Sequence, residues 1–518
     1  MTLDAALSEN ALLKKANADL SEKVTQLQQQ LDWFKRQLFG QKSEKRLTVD
    51  PAIQQSLFDG MLPPVEQTDA PTKTIAGHER KQKQRDGCVT DSGLRFDASV
   101  PMKIIEVLPE ELQGDQADNY EILSYKVTHR LAQQQASFVV IEERRPVIRE
   151  KTTQKLITTP APDRVLDNSI ADVSFLAGML VDKFQYHLPL HRQHQKLTAA
   201  GITVSRSLLT QLTSKAIALL KPIAEAQYCS VLQSQVLAID ETPIKAGRNG
   251  PGKMKQGYFW PMYGDQDELA FRYCPGRTIQ HLTSLVDGFK GTLLTDGYAA
   301  YAHFAARESE VTHAQCWAHT RRGFEKAQDM EPDAVAEALT LVGELYRHEE
   351  HIRETGLSGE EKRAYRQAKS APLVALFWRW CDQQCQRLDL TPSNPLSKAL
   401  KYAMARVEAL EVFLDNPEVA IDTNHLERGL RCVPMGKKNW LFCWTEAGAE
   451  EVAIIQSLIA TCRLHEVSTF DYLVDVLQRI SVHPATEVHL LTPRLWKAHF
   501  AANPLRSVLA MEPVTECE

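Results

Sequence analysis

The sequence predicts a multidomain, helix-rich chain built around an α/β core with a mixed sheet, and three features lead there. The chain has 518 residues, too many for one ordinary domain when domains run to ~100–200 residues. In its middle, short apolar runs that stop on an acid, VLAID and TLLTD, alternate with helical stretches, the mark of a sheet with helical crossovers. A heptad-like start and a long charged helical stretch lie outside that core. A hydrophobic share of 43% and a charged share of 24% are those of a globular protein. MTLDAALSEN has no apolar leader, and no uncharged apolar run long enough for a membrane span follows, so a cytoplasmic chain without membrane contact is expected. The 10 cysteines are scattered as reduced thiols would be, not spaced as a disulfide framework. A formal net charge of −6 excludes an indiscriminately basic nucleic-acid binder and leaves DNA contact to local patches.

Residues 1–45 place Leu13, Asn17, Leu20, Val24, Leu27, Leu31, Phe34 and Leu38 at alternating steps of four and three. That is the a/d pattern of a coiled coil, with Asn17 at an a position where a buried amide selects register. A homo-oligomer through this segment is expected; the alternative is an amphipathic helix packed on its own chain. Residues 46–87 lose periodicity, gather prolines and end in HERKQKQRDG, a basic linker. Residues 88–165 alternate like short strands and predict a small β-rich module. Residues 166–230 turn helical, and Gly201 with an N-cap at Ser205 resembles a helix-turn-helix, although such pairs are more often plain packing units.

The core begins at 231. VLAID, then a hairpin from QGYFWPMYGD to ELAFRYCPG, then a helix and GTLLTDG predict strand, strand, strand, helix, strand through 324. That order is the front half of an RNase H-like fold, in which the first and fourth strands lie side by side. Carboxylates at their ends, Asp240 and Asp296, could then share divalent ions, since Mg²⁺ takes hard oxygen ligands. Two such ions serve in-line phosphodiester displacement without a side-chain nucleophile. Solvated strand-end charges are the bland reading of either acid. Residues 325–415 predict a helical insertion, 416–466 the last part of the core, and 467–518 a helical tail. In NHLERGLRCVPMGKKNWLFCW, one helix would put Asn424, Glu427, Arg428 and Arg431 on one face. The plain alternative there is a Glu427 to Arg431 surface pair. Lys437, Lys438 and Trp440 add basic and aromatic chemistry suited to phosphates and unstacked bases.

AIDETPIK, LLTDGYAAY, CWAHTRRGFEKA and NHLERGLRCVPMGKKNWLF, with LDWFKRQLFGQKSEK near the start, resemble the DDE transposases of the insertion sequence 66 family over nearly the whole chain. The resemblance implies Asp240, Asp296 and Glu427 as the catalytic, metal-holding acids, with Mg²⁺ as cofactor and Mn²⁺ able to substitute. By strand alternation Glu241 should point to the face opposite Asp240. Cys316 and His319 of CWAH have the spacing of half a zinc site, without a second pair; a role in shaping the active site is expected, with a packed core cysteine nearly its equal. Arg321 and Arg322 then stand available to DNA. The family's small zinc module has paired cysteines where this chain has Cys88 alone, which puts zinc in question. The implied partners are transposon-end and target DNA and accessory proteins of the same element, with the protein at the nucleoid when bound to DNA. Two other readings stay open: a relic that binds transposon ends without catalysis, and an RNase H-like nuclease.

Overall fold

Val236–Ile239 is apolar at every position because it is covered on both faces, as a central strand flanked by helices must be. The computed structural model describes residues 88–89, 94–96, 100–113, 117–134, 137–250 and 252–510. The coiled coil expected at 1–45 and the basic linker at 46–87 lie outside them.

Seven strands precede the core among the described residues. β1 (Cys88–Val89) and β2 (Arg95–Phe96) form a small sheet completed by β7 (Ile202–Thr203). β3 (Met102–Glu106), β4 (Tyr120–Gln134), β5 (Ser137–Glu150) and β6 (Leu156–Thr158) form a second sheet, in which β4 and β5 make one long antiparallel ribbon where shorter strands are expected from sequence. Its interior holds a charged cluster: buried Glu143 lies 3.2 Å from Arg130, 3.6 Å from Arg145 and 3.6 Å from Arg164. Helices α1 (Val173–Phe184), α2 (Leu190–Ala199) and α3 (Arg206–Leu232) follow. Gly201 turns the chain with φ 80°, and Ser205 caps α3 by accepting from the Leu208 N–H at 3.1 Å.

The core sheet contains β8 (Val236–Ile239), β9 (Thr242–Arg248), β10 (Met254–Tyr263), β11 (Leu269–Cys274), β12 (Gly291–Thr295) and β13 (Val311–Gln315). Its order is β11-β10-β8-β12-β13, with β9 also paired to β10. β8 and β9 run along the same partner, so they are one strand interrupted at Asp240 and Glu241. β12 is parallel to β8, with Leu293 opposite Leu237 and Leu294 opposite Ala238. Side chains alternate. Leu237 and Ile239 pack under α4 (Ile279–Leu285) and α5 (Ala299–Ala305), while Val236 and Ala238 belong to the larger cluster on the other face.

After β13 come α6 (Trp317–Glu325), α7 (Pro332–Thr355) and α8 (Gly359–Tyr365). A π-helical turn (Arg366–Ser370) leads on to α9 (Ala371–Cys385), α10 (Pro395–Met404) and α11 (Val407–Asp415). Arg366 is fully buried. It pairs with Glu349 at 2.7 Å and donates to the carbonyls of Phe413, Asn416 and Val419, which satisfies a charge that could not otherwise be buried. The chain returns through α12 (Asn424–Leu430), α13 (Cys432–Trp440), α14 (Glu446–Leu464), α15 (Thr469–Arg479) and α16 (Pro493–His499). The helix expected to carry Asn424, Glu427, Arg428 and Arg431 on one face ends at Leu430, and a second helix begins at Cys432. Pro434 has no N–H to give the Leu430 carbonyl and its ring crowds that oxygen, so the first helix stops there.

The approach of β12 to β8 depends on Gly291, whose φ is 134° and where an added Cβ would lie 2.4 Å from the Gln235 carbonyl oxygen. Gly291→Ala is expected to lower stability by about 2–3 kcal/mol. Gly288→Ala, at φ 73° with open space around it, should cost about 1 kcal/mol. Urea midpoints of the two variants check the difference, and equal midpoints would refute the role given to Gly291.

Candidate active site

Continuing the β8 to β12 register by two residues sets Asp296 level with Asp240, on strands ~4.8 Å apart. Each carboxylate is held at its base. Asp240 Oδ1 accepts from the Glu241 N–H at 2.7 Å, and Asp296 Oδ1 accepts from the Tyr298 N–H at 2.8 Å. Burial pushes the Asp240 carboxyl up to about 6; Asp296 and Glu427 push the same way, against the Glu241 N–H and Arg322. The three acids therefore share one electrostatic neighbourhood.

Glu427 projects from the first turn of α12, and α12 is placed by CWAH. The Trp317 N–H donates to Ile421 O at 3.0 Å, and Trp317 Nε1 donates to Leu410 O at 2.8 Å. Buried Cys316 Sγ accepts from the Thr423 N–H and Oγ1, each at 3.3 Å. Those bonds fix the loop that launches α12. From the same α6, Arg322 Nη2 donates to Glu427 Oε1 at 2.6 Å, and His319 Nε2 stands 3.8 Å from that oxygen. Burial, followed by Arg322, holds the His319 imidazole below its usual range, so this histidine is neutral near pH 7.

The donors fit Mg²⁺ by chemistry: three hard carboxylates in an acidic pocket and no thiolate among them. Their present positions are not closed around one point, since among the described residues no three metal-ligating side chains converge closely enough to hold an ion. The third carboxylate is paired with Arg322 at 2.6 Å. Cys316 is likewise committed to Thr423, so CWAH supplies packing and hydrogen bonds.

Other residues singled out from sequence are spread around this centre. Arg321 pairs with Glu325 at 3.1 Å; Arg428, Arg431 and Lys438 are exposed. Arg431 follows the end of α12, and Glu427 is taken by Arg322 in place of the expected Arg431 pair. Asn424 turns back on Asp422, its N–H and Nδ2 donating at 3.0 and 2.5 Å. Lys437 Nζ donates to Pro243 O at 2.5 Å, tying α13 to β9. Trp440 is half-buried against Gly436.

The geometry adds contacts that spacing did not show. Glu241 points to the opposite face, as strand alternation requires: its side chain is 6% exposed, Tyr301 Oη donates to it at 2.6 Å, and Arg277 stands 3.7 Å away. Burial, with Asp296 and Asp240 beside it, pushes its carboxyl up to about 7. Arg406 Nη2, from the segment between α10 and α11, donates to Gly297 O at 3.0 Å and steadies the turn after Asp296. Tyr402 packs against the same glycine so closely that a Cβ there would lie 2.2 Å from its hydroxyl. The absence of a side chain at position 297 in TDGYAAY was the signal available for that contact.

The family model described as "Transposase IS66 family" matches residues 168–451, more than half of the chain. "IS66 C-terminal element" matches 457–493, and "Transposase C of IS166 homeodomain" matches 26–89. Among curated relatives, the uncharacterized protein y4hP of Sinorhizobium fredii (strain NBRC 101917 / NGR234) is 32% identical over 411 residues, covering 74% of this chain and 72% of its own length. The uncharacterized protein y4qI of the same strain is 28% identical over 512 residues, covering 95% of this chain and 92% of its own length.

Asp240 and Glu241 retain protons in the folded chain where the unfolded chain has already lost them, because their folded values of about 6 and about 7 lie above 3.8 and 4.5. Their contribution to stability is therefore full below about pH 4 and is lost as pH rises toward 7. Without added divalent ions, Asp240→Asn should melt above the wild type at pH 7 and converge with it near pH 4. A melting-temperature difference independent of pH would overturn this assignment.

Proposed function

The chain belongs to the IS66 family of transposases, and on that premise we propose that it binds the terminal inverted repeats of an insertion sequence, cuts at the element's ends, and joins the freed 3′ hydroxyls to target DNA. The observation that carries this reading is the pairing of Asp240 and Asp296 at the ends of neighbouring parallel strands with Glu427 facing them. The sheet order supports an RNase H-like catalytic core.

In this reading Asp240, Asp296 and Glu427 hold Mg²⁺, or Mn²⁺ in its place; when bound, the metal supplies a water of lowered pKa and stabilises the leaving oxygen. The chain's own groups do the rest. Arg321, Arg428, Arg431, Lys437 and Lys438 meet phosphates, with Asn424 and Trp440 beside them. Cys316 and His319 keep Glu427 on its bearing. Arg322 holds the Glu427 charge until the site is loaded and is then free to turn to a phosphate, a task its planar fork suits. Buried Glu241, held by Tyr301, fixes the strand break from which Asp240 projects.

The direct test is nicking of labelled element-end DNA with Mg²⁺ or Mn²⁺ at matched DNA binding. Asp240→Asn, Asp296→Asn and Glu427→Gln are each expected to lose cleavage by at least about a hundredfold while still binding the ends. Binding without cleavage by the wild type, with accessory proteins supplied, would favour a relic end-binding protein; nicking without strand transfer would favour a nuclease.

A separate prediction concerns Arg322, because a guanidinium paired to Glu427 at 2.6 Å competes with any metal for that oxygen. Arg322→Ala should bind Mn²⁺ several-fold more tightly, read as the Mn²⁺ concentration needed to raise the melting temperature. Unchanged or weaker binding would remove Arg322 as a competitor.

A further inference from the structure

Beyond α13 the chain makes a turn that the acidic site does not use. Leu441 has φ 64° and ψ −52°, and the Phe442 N–H donates to Trp440 O at 2.8 Å. These are the marks of a γ-turn of the rare, strained kind. The chain then lies beside β9: the Cys443 N–H donates to Lys245 O at 2.9 Å, and the Gly247 N–H donates to Cys443 O at 3.2 Å. Pairing in that register buries Cys443, so the alternation throws Trp444 outward. Trp444 is 61% exposed. The Arg248 guanidinium lies 5.0 Å from the ring centroid, and Phe442 meets the indole edge-on at 5.0 Å.

A strained turn that leaves the largest side chain in water gains the fold nothing by burial. The surroundings indicate what would cover it. Exposed Lys245 stands on β9 and exposed Lys438 in the last turn of α13, and the nearby acid Glu446 is matched by Lys255 at 2.7 Å. Lysine is depleted in protein interfaces, whereas single-stranded DNA is held by an aromatic face for a base beside cations for phosphates. β9 runs from just after Asp240 to Arg248, so at ~3.3 Å per residue the ring lies about 25 Å along the strand from the acids.

We propose that Trp444, with Arg248 over its ring, is a stacking platform for an unpaired nucleobase of the DNA strand, several nucleotides from the cleavage position. The proposal rests on the transposase reading, since it presupposes DNA bound at the acidic centre. It extends that reading by assigning a role in holding unpaired DNA to a residue pair outside the acidic centre.

The test is fluorescence anisotropy on the full chain with two fluorescein-labelled probes: a fully paired duplex and the same duplex with a single-stranded tail. Trp444→Ala is expected to weaken binding of the tailed probe about tenfold with an unchanged salt slope, and of the paired duplex less than about twofold. Trp444→Phe should restore most of the loss. Arg248→Ala should weaken the tailed probe and flatten its salt slope by about one. Equal effects of Trp444→Ala on both probes, or none on either, overturn the platform. A change of oligomeric state by sedimentation with unaltered DNA binding would overturn it in favour of a contact between copies. Failure of the wild type to bind either probe would sink the transposase reading itself, whereas binding indifferent to Trp444 would sink only this proposal. Circular dichroism of each variant keeps misfolding from being read as lost binding.

Discussion

Two like charges at the ends of neighbouring parallel strands repel each other, and much of the structure around them serves to hold them there. β8 and β12 bring Asp240 and Asp296 level, and the register leaves neither acid free to retreat. Because the strands are covered on both faces, much of the cost is met by rigidity: the sheet cannot slip by one residue without turning Leu237 and Ile239 out of one apolar cluster and into the other. Burial raises the Asp240 carboxyl to about 6, and the charges of Asp296 and Glu427 add to that rise. Arg322 neutralises the third acid.

That arrangement explains why the long helical insertion is not an appendage. Its aromatic cluster centres on Trp317, Phe377, Trp378 and Phe413, and Trp317 is also the residue whose ring and backbone bonds reach Leu410 and Ile421. The packing that stabilises the insertion thus also orients the loop leading into α12. At the insertion's other end, Arg406 and Tyr402 press on the turn after Asp296. Disturbing the insertion core should therefore be felt at both flanking acids, through hydrogen bonds of known identity rather than through a diffuse network.

Much of this was legible in the chain itself. VLAID and GTLLTD announced two buried strands ending in acids because a strand covered on both faces must be apolar throughout, and that pattern survives without knowledge of the partners. The helical character of 325–415 and the cap at Ser205 were readable for equally local reasons. Pairings between distant residues were not. Nothing in spacing says that Cys316 would accept from Thr423, that Arg322 rather than Arg431 would take Glu427, or that Arg366 would be buried whole. Pro434 carries a local signal for the break between α12 and α13. Trp440 and Trp444 look equivalent in GKKNWLFCW; only the γ-turn at Leu441 separates the half-buried ring from the exposed one.

The strand break at Asp240 and Glu241 lies early in the core, whereas Glu427 is reached only after the whole insertion has been made. Contacts between segments so far apart in sequence are closed late in folding, because loop entropy must be met before they are rewarded. During synthesis the first two acids therefore emerge and pair on a sheet that still lacks the third, and a chain released early would carry an incomplete acidic set. In chain order the acidic centre therefore waits for its third member until the whole insertion between Asp296 and Glu427 has been made.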